Sequence, residues 1–153
     1  MASNVVKVFD PALLSDQEKL QLILKPATMY RGVPRSRGCP VTGCILWEMS
    51  TDGAGYPQMK LGAEFDSRFG KRPQSPVRIL YSIYNNLTLN FPNFEMSHLC
   101  HTPLCIQTTH VSYEPQSINS RRNICRDNRK CSRDHVDDDC GITFPDCLHF
   151  YNC

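Results

Sequence analysis

Three residues between positions 100 and 110 have the types and the spacing of a metal-binding set. Cys100, Cys105 and His110 follow the pattern Cys-x4-Cys-x4-His. Thiolate and imidazole groups are the usual ligands of structural zinc, which binds them in a tetrahedron. The fourth ligand must come from elsewhere in the chain. Cys44 is the first candidate because it opens a predicted β-strand, and Cys39 is the second.

A second set of the same chemistry follows it. Cys125, Cys131 and His135 have the pattern Cys-x5-Cys-x3-His, which also suits tetrahedral zinc. Either of two later cysteines could supply the fourth ligand: Cys140 continues the short spacing, whereas Cys147 lies further along. The spacing does not decide between them.

Composition explains why such a chain would need metal. It has 153 residues, nine of them cysteine, and is only 41% hydrophobic with those cysteines included. Zinc binding contributes directly to folding free energy, so two zinc ions would compensate for a thin apolar core. The N-terminus shows no apolar signal-peptide segment, which predicts an intracellular protein whose cysteines bind metal rather than form disulfides. No apolar run reaches the roughly 18–20 residues of a membrane helix, which argues against a membrane partner.

The positions of prolines and glycines and the distribution of charge divide the chain into a helical arm, residues 1–30, and a single domain, residues 31–153. In the arm, Ser15 and Glu18 fit a capping box before an apolar run, and Pro26 should end that helix. A second helix is predicted from Val77 to Asn86, where apolar residues recur at helical spacing.

An antiparallel hairpin is predicted between these two helices. Residues 44–47 and 56–65 have strand character and flank a glycine-rich turn at 51–55. A two-stranded ribbon fits the major groove of DNA, where Gln58 and Lys60 could contact base edges from one face. Ten basic residues could supply a cationic surface for phosphates: Arg31, Arg35, Arg37, Lys60, Arg68, Lys71, Arg72, Arg121, Arg122 and Arg126.

The second half of the chain predicts a β-β-α order. A strand-loop-strand unit runs from Met96 to Val111, and a helix should begin near Pro115. His98 then lies on the first strand and Asn119 on the helix. A neutral imidazole can act as a general base, and a neutral amide oxygen suits magnesium that keeps most of its waters.

One ordered series of residues connects these features: the stretch Ser97-His-Leu-Cys-His101, then Cys105, His110, Asn119, Cys125, Cys131 and His135. This series resembles the His-Cys box of the intron-encoded homing endonucleases, a branch of the His-Me finger (ββα-metal) nucleases. The resemblance extends over about residues 44–148 and is densest from 96 to 135. It implies an α+β fold: a small, zinc-stapled mixed structure with antiparallel hairpins and a ββα-metal active site.

The resemblance also implies a role for single residues. His98 matches the general base that activates the attacking water, and Asn119 matches the only side-chain ligand of the catalytic magnesium. Arg78 has the local context of the arginine that contacts the scissile phosphate, with Lys60 and Arg72 as rivals. The resemblance implies two structural zinc sites in each protomer. The ligands of the first would be Cys44, Cys100, Cys105 and His110. The ligands of the second would be Cys125, Cys131, His135 and either Cys140 or Cys147.

The implied function is magnesium-dependent hydrolysis of phosphodiester bonds in double-stranded DNA by a site-specific homing endonuclease. No small-molecule cofactor is expected. Cleavage of both strands favours a symmetric homodimer, and the substrate favours the nucleus. Two alternatives stay open. One is a less specific or mobile-element nuclease of the same fold, and the other is a non-catalytic, zinc-stapled DNA-binding module like the MH1 domain of Smad transcription factors.

Overall fold

The computed structural model describes residues 7–131, 135–137 and 141–149. They belong to two compact units, one within residues 1–36 and 47–90 and the other within residues 37–46 and 91–153. The α-helices are α1 (Asp16–Leu24), α2 (Asp66–Phe69), α3 (Pro76–Asn85) and α4 (Gln116–Asn128). The strands are β1 (Met29–Tyr30), β2 (Val33–Pro34), β3 (Ser36–Gly38), β4 (Ile45–Trp47), β5 (Phe94–His98), β6 (Val111–Pro115), β7 (His135–Val136) and β8 (Thr143–Phe144). They pair in order as four two-stranded sheets.

Helix α1 begins where the sequence predicts. The Glu18 backbone N–H donates to Ser15 Oγ at 3.1 Å, and the Ser15 N–H donates to Glu18 Oε1 at 3.0 Å, which completes the capping box. Two donors that the first helical turn leaves without a partner are thereby satisfied. The helix ends at Leu24, and Pro26 lies in the 3-10 turn that follows. The predicted start and stop are both confirmed.

The core of the first unit is aliphatic and aromatic. Leu22 on α1 and Phe65 are fully buried, and Ile79 on α3 is 1% exposed. The Phe9 and Phe69 rings lie 4.8 Å apart in a tilted arrangement. Helix α3 confirms the helix predicted from Val77 to Asn86, with each end shifted by one residue. None of the residues in the two cysteine clusters described below belongs to this unit.

The predicted hairpin between residues 44–47 and 56–65 is wrong. Strand β4 pairs with β3 instead, through a turn in which the Cys39 N–H donates to the Cys44 carbonyl at 2.7 Å. The glycine-rich turn does form, but one bridge between Thr51 and Pro57 closes it, and Met59 then pairs with Gln74. Pro57 has no N–H with which to extend a ladder.

The second unit contains the predicted β-β-α order. Strands β5 and β6 are antiparallel, with His98 opposite Val111 and Glu95 opposite Glu114. Helix α4 follows β6 directly, and its buried residues Ile118, Arg122 and Cys125 recur at helical spacing.

The fold is therefore the expected small α+β structure with antiparallel hairpins and two cysteine-histidine clusters. The division into an arm (1–30) and a single domain (31–153) stays a prediction. Among the described residues, no helix is both long and apolar enough to cross a membrane.

Candidate metal centres and active site

The first cluster consists of Cys44, Cys100, Cys105 and His110. All four are buried, and their potential ligand atoms lie within 4.8 Å of one another. His110 Nδ1 is 3.4 Å from Cys44 Sγ and 3.6 Å from Cys105 Sγ. Zinc–sulfur and zinc–nitrogen bonds of about 2.3 and 2.0–2.1 Å, set at a tetrahedral angle, would separate sulfur and nitrogen by about 3.6 Å. The cluster could hold zinc without a large rearrangement.

Local backbone structure brings these four residues together. Strand β5 ends at His98, and the next residues turn, with the Leu99 N–H donating to the His110 carbonyl at 2.8 Å. The Ile106 N–H donates to the Ile45 carbonyl at 2.7 Å, which places Cys105 close to the start of β4. Gly43 has a φ of +72°, and a Cβ added to it would lie 3.8 Å from the His110 ring. A left-handed glycine here lets Cys44 face the cluster.

The second cluster consists of Cys125, Cys131, His135 and Cys147, whose ligand atoms also lie within 4.8 Å of one another. His135 Nε2 is 3.4 Å from Cys125 Sγ and 4.0 Å from Cys147 Sγ. Three thiols and one imidazole again form a zinc-type donor set. Of the two cysteines proposed for the fourth position, Cys147 joins the cluster, and Cys140 lies outside the described residues.

Two features of the chain hold Cys147 in this position. The next residue, Leu148, packs against the cysteines of the first cluster, and its N–H donates to the Leu99 carbonyl at 2.7 Å. The Cys147 N–H donates to Cys131 Sγ at 3.4 Å. The C-terminal segment is thus tied to the turn after β5, a long-range contact that ligand spacing could not reveal.

Charged groups surround the second cluster. Arg122 donates through Nη1 to Cys147 Sγ at 3.3 Å, while its Nε and Nη2 donate to Glu114 at 2.6 and 2.7 Å. Burial raises the pKa of the Cys147 thiol to about 12 and outweighs the neighbouring guanidinium. A bound metal ion would therefore be needed to keep this sulfur ionised at neutral pH. On the other side, His135 Nδ1 lies 3.5 Å from Oδ1 of the exposed Asp146, which is within ion-pair distance, but it has no hydrogen-bond partner among the described residues.

Cys39, the second candidate for the first cluster, lies outside it. It is disulfide-bonded, so the expectation that the cysteines bind metal rather than form disulfides is wrong at this position. The other cysteines of the described residues are free, and all six belong to the two clusters.

His98, at the end of β5, is held by the first cluster. Its Nε2 lies 2.9 Å from the Cys105 carbonyl oxygen. A carbonyl can only accept a hydrogen bond, so Nε2 carries the proton and Nδ1 carries the lone pair. Burial lowers the pKa of His98, while the hydrogen bond to Cys105 works in the opposite direction. The imidazole is therefore neutral at neutral pH.

Asn119 lies one turn into α4 and faces β5. Its Nδ2 donates to Glu95 Oε1 in a very short hydrogen bond, and both side chains are half-buried. Because an ionised carboxylate only accepts, the amide nitrogen must be the end that faces Glu95, and Oδ1 is the other end. Sequence reasoning selected Asn119 but missed its partner, since a glutamate on an amphipathic strand carries no motif signal.

Arg78 lies in the first unit, on α3, whereas His98 and Asn119 lie in the second. Its Nη2 donates to the Leu89 carbonyl at 3.2 Å, and the side chain is half-buried. Lys71 and Arg72 join Arg78 around a cavity of about 480 Å³. Two other residues of the proposed cationic surface are engaged elsewhere: Arg122 is buried against Glu114, and Arg68 is paired with Glu18.

Residues 71–153, more than half of the chain, match the family model described as the zinc-binding loop region of homing endonuclease. The chain belongs to this His-Me endonuclease family. The matched segment contains the ββα unit, the whole second cluster and three of the four residues of the first. No curated protein and no solved structure matches the chain.

Proposed function

We propose that the protein is a magnesium-dependent endonuclease that hydrolyses phosphodiester bonds in double-stranded DNA at a specific site. Membership of the homing-endonuclease family supports nuclease activity and DNA binding. The observation that carries the mechanism is the hydrogen bond between His98 Nε2 and the Cys105 carbonyl, because it holds the single proton of the neutral imidazole on Nε2 and leaves the lone pair on Nδ1. That nitrogen would accept a proton from the attacking water.

Asn119 would hold the divalent cation through Oδ1, the amide end that does not face Glu95. A neutral oxygen donor on a helix fits magnesium, which retains most of its own waters in nuclease sites. When bound, magnesium would supply Lewis-acid stabilisation of the phosphate and the leaving oxygen. The two clusters, each with four protein donors, fit closed structural zinc sites.

Arg78 is proposed to contact the scissile phosphate on the strength of its sequence context alone. Lys71 and Arg72, near it around the same cavity, would add positive charge toward the DNA backbone. Symmetric cleavage of both strands is most simply done by a homodimer on a pseudo-palindromic site, and we place the protein in the nucleus with its substrate.

A cleavage survey tests the proposal. The zinc-loaded protein is incubated with a randomised duplex library in buffers with and without added magnesium, and the new ends are sequenced. Omitting magnesium is preferable to adding a chelator, which would also remove zinc. We expect magnesium-dependent ends within one sequence motif, and none from Asn119→Ala.

The other outcomes separate the alternatives. Ends scattered over many sequences would identify a less specific nuclease of the same fold. If the protein binds duplex DNA but does not cleave it at any magnesium concentration, it is a non-catalytic binding module and the proposed function is wrong.

A further inference from the structure

Two glutamates lie opposite each other on the hairpin that carries His98. Glu95 on β5 and Glu114 on β6 are register partners in the antiparallel pair. Helix α4 provides a partner for each of them, Asn119 for Glu95 and Arg122 for Glu114. The two carboxylates therefore occupy equivalent places in the sheet and differ in what the helix offers them.

Among the described residues, a guanidinium pairs with the carboxylate of Glu114, whereas no lysine or arginine pairs with that of Glu95. Glu114 is completely buried and accepts two hydrogen bonds from the Arg122 guanidinium. Glu95 is half-buried and, within the described part of the chain, forms no salt bridge with any lysine or arginine. A neutral amide is its hydrogen-bond partner. A half-buried carboxylate without a cationic partner favours the approach of a cation.

We propose that Glu95 is a positioning residue for the divalent cation, an inference that rests on the proposed function. By accepting from Nδ2, it fixes the orientation of the Asn119 amide so that Oδ1 is the end presented to the ion. The oxygen and nitrogen ends of an amide are nearly equal in shape, so without this bond either end could occupy the ligand position. The negative charge of Glu95 also attracts the cation.

Cation affinity is the direct readout. Binding of Mn²⁺ to the zinc-loaded protein is measured by electron paramagnetic resonance for the wild type, Glu95→Gln, Glu95→Ala and Asn119→Ala. The partners of metal ligands typically change metal affinity about 10–100-fold. We expect Glu95→Gln, which keeps an acceptor but loses the charge, to weaken binding about tenfold. Glu95→Ala should weaken it further, and Asn119→Ala should abolish it.

Controls separate positioning from a structural role. Asn123→Ala, an exposed amide one turn further along α4, should bind Mn²⁺ like the wild type. Zinc content should be unchanged in every variant. At saturating Mn²⁺, Glu95→Gln should recover DNA cleavage and Glu95→Ala should recover less, since only glutamine can still accept from the Asn119 amide.

The results that would overturn the inference are distinct from those that would overturn the function. If both Glu95 variants bind Mn²⁺ as tightly as the wild type while Asn119→Ala does not, Glu95 has no part in the cation site and the proposed function stands. The same conclusion follows if Glu95→Ala lowers only the melting temperature. If the wild type binds no Mn²⁺ and cleaves no DNA, the proposed function fails and the inference fails with it.

Discussion

The His98 imidazole is oriented by a backbone carbonyl that belongs to a candidate zinc ligand, Cys105. A carboxylate in that place would add a negative charge and favour the protonated ring, whereas burial here lowers the pKa of His98. An imidazole that acts as a general base must be neutral before it accepts a proton. The buried environment and the carbonyl partner of His98 therefore suit the proposed role as a base. The cluster that staples the hairpin would also set the orientation of the base.

Replacement of this imidazole tests the role. His98→Ala should lower the cleavage rate about 10²–10⁴-fold, because a positioned general base typically contributes that much. The side chain is not among the cluster residues, so zinc content and duplex affinity should match the wild type. Rates are measured under single-turnover conditions, with zinc determined by elemental analysis. A variant that cuts at nearly the wild-type rate would refute the assignment, and one that loses zinc would show a structural role.

The fourth ligand of the second cluster can be tested in the same way. Cys147→Ser should lose about one zinc per chain, because Cys147 Sγ lies with the other three donors. Cys140→Ser is the matched control and should keep two. Elemental analysis after exhaustive dialysis gives both numbers. The reverse pattern would assign the ligand to Cys140.

Single residues differ in how far their partners can be deduced from the sequence. Cys100, Cys105 and His110 lie within eleven positions, so their spacing alone predicts a shared site. The choice of Cys147 depends on the Leu148 backbone bond to Leu99, which spans about fifty residues. The Glu95–Asn119 pair likewise depends on how α4 crosses β5, and neither residue type signals it.

At the scale of elements, α4 is joined to the hairpin by one buried ion pair. Glu114 on β6 and Arg122 on α4 are 0% and 2% exposed and share a bidentate contact. Breaking a buried pair by removing one partner leaves an uncompensated charge and costs about 3–5 kcal/mol. The pair therefore fixes the helix that presents Asn119.

Glu114→Gln should lower the free energy of unfolding of the zinc-loaded protein by about 3 kcal/mol, since the Arg122 charge stays buried without its carboxylate. Asp127→Asn is the control, because its pair with Arg126 lies on the same helix but is exposed, and it should leave stability nearly unchanged. Urea unfolding monitored by circular dichroism provides the comparison. Equal losses in the two variants would show that burial of the pair is unimportant.

The helices with strong local sequence signals could be predicted. The pairing of strand β4 could not, because two segments of the chain were possible partners for it. The Ser15–Glu18 capping box and the apolar spacing of α3 depend on near neighbours. Strand β4 had two possible partners, and the tight turn from Cys39 to Cys44 brings β3 next to it. The rival segment contains Pro57 and also Gly62, at φ +127°, which disfavour a long regular strand.

At the scale of the whole molecule, the two compact units have different kinds of core. The first buries Leu22, Phe65 and Ile79, whereas the buried positions of the second include five of the six cluster cysteines, all except Cys131. Metal affinity becomes folding free energy when a site is absent from the unfolded chain. We therefore expect zinc to stabilise the second unit and to matter little for the first.

Zinc removal followed by hydrogen exchange should separate these contributions. After chelation and dialysis, backbone amides in β5, β6 and α4 should lose protection, because the buried thiols and imidazoles lose the ion that satisfies them. Amides of α1 and α3 should keep most of their protection, since their core holds no cluster residue. Mass spectrometry of peptic fragments resolves the two sets in one experiment, and re-addition of zinc should restore the lost protection. Uniform loss across α1, α3 and α4 would mean that the two units fold as one, and unchanged protection in α4 would mean that the clusters contribute little to stability.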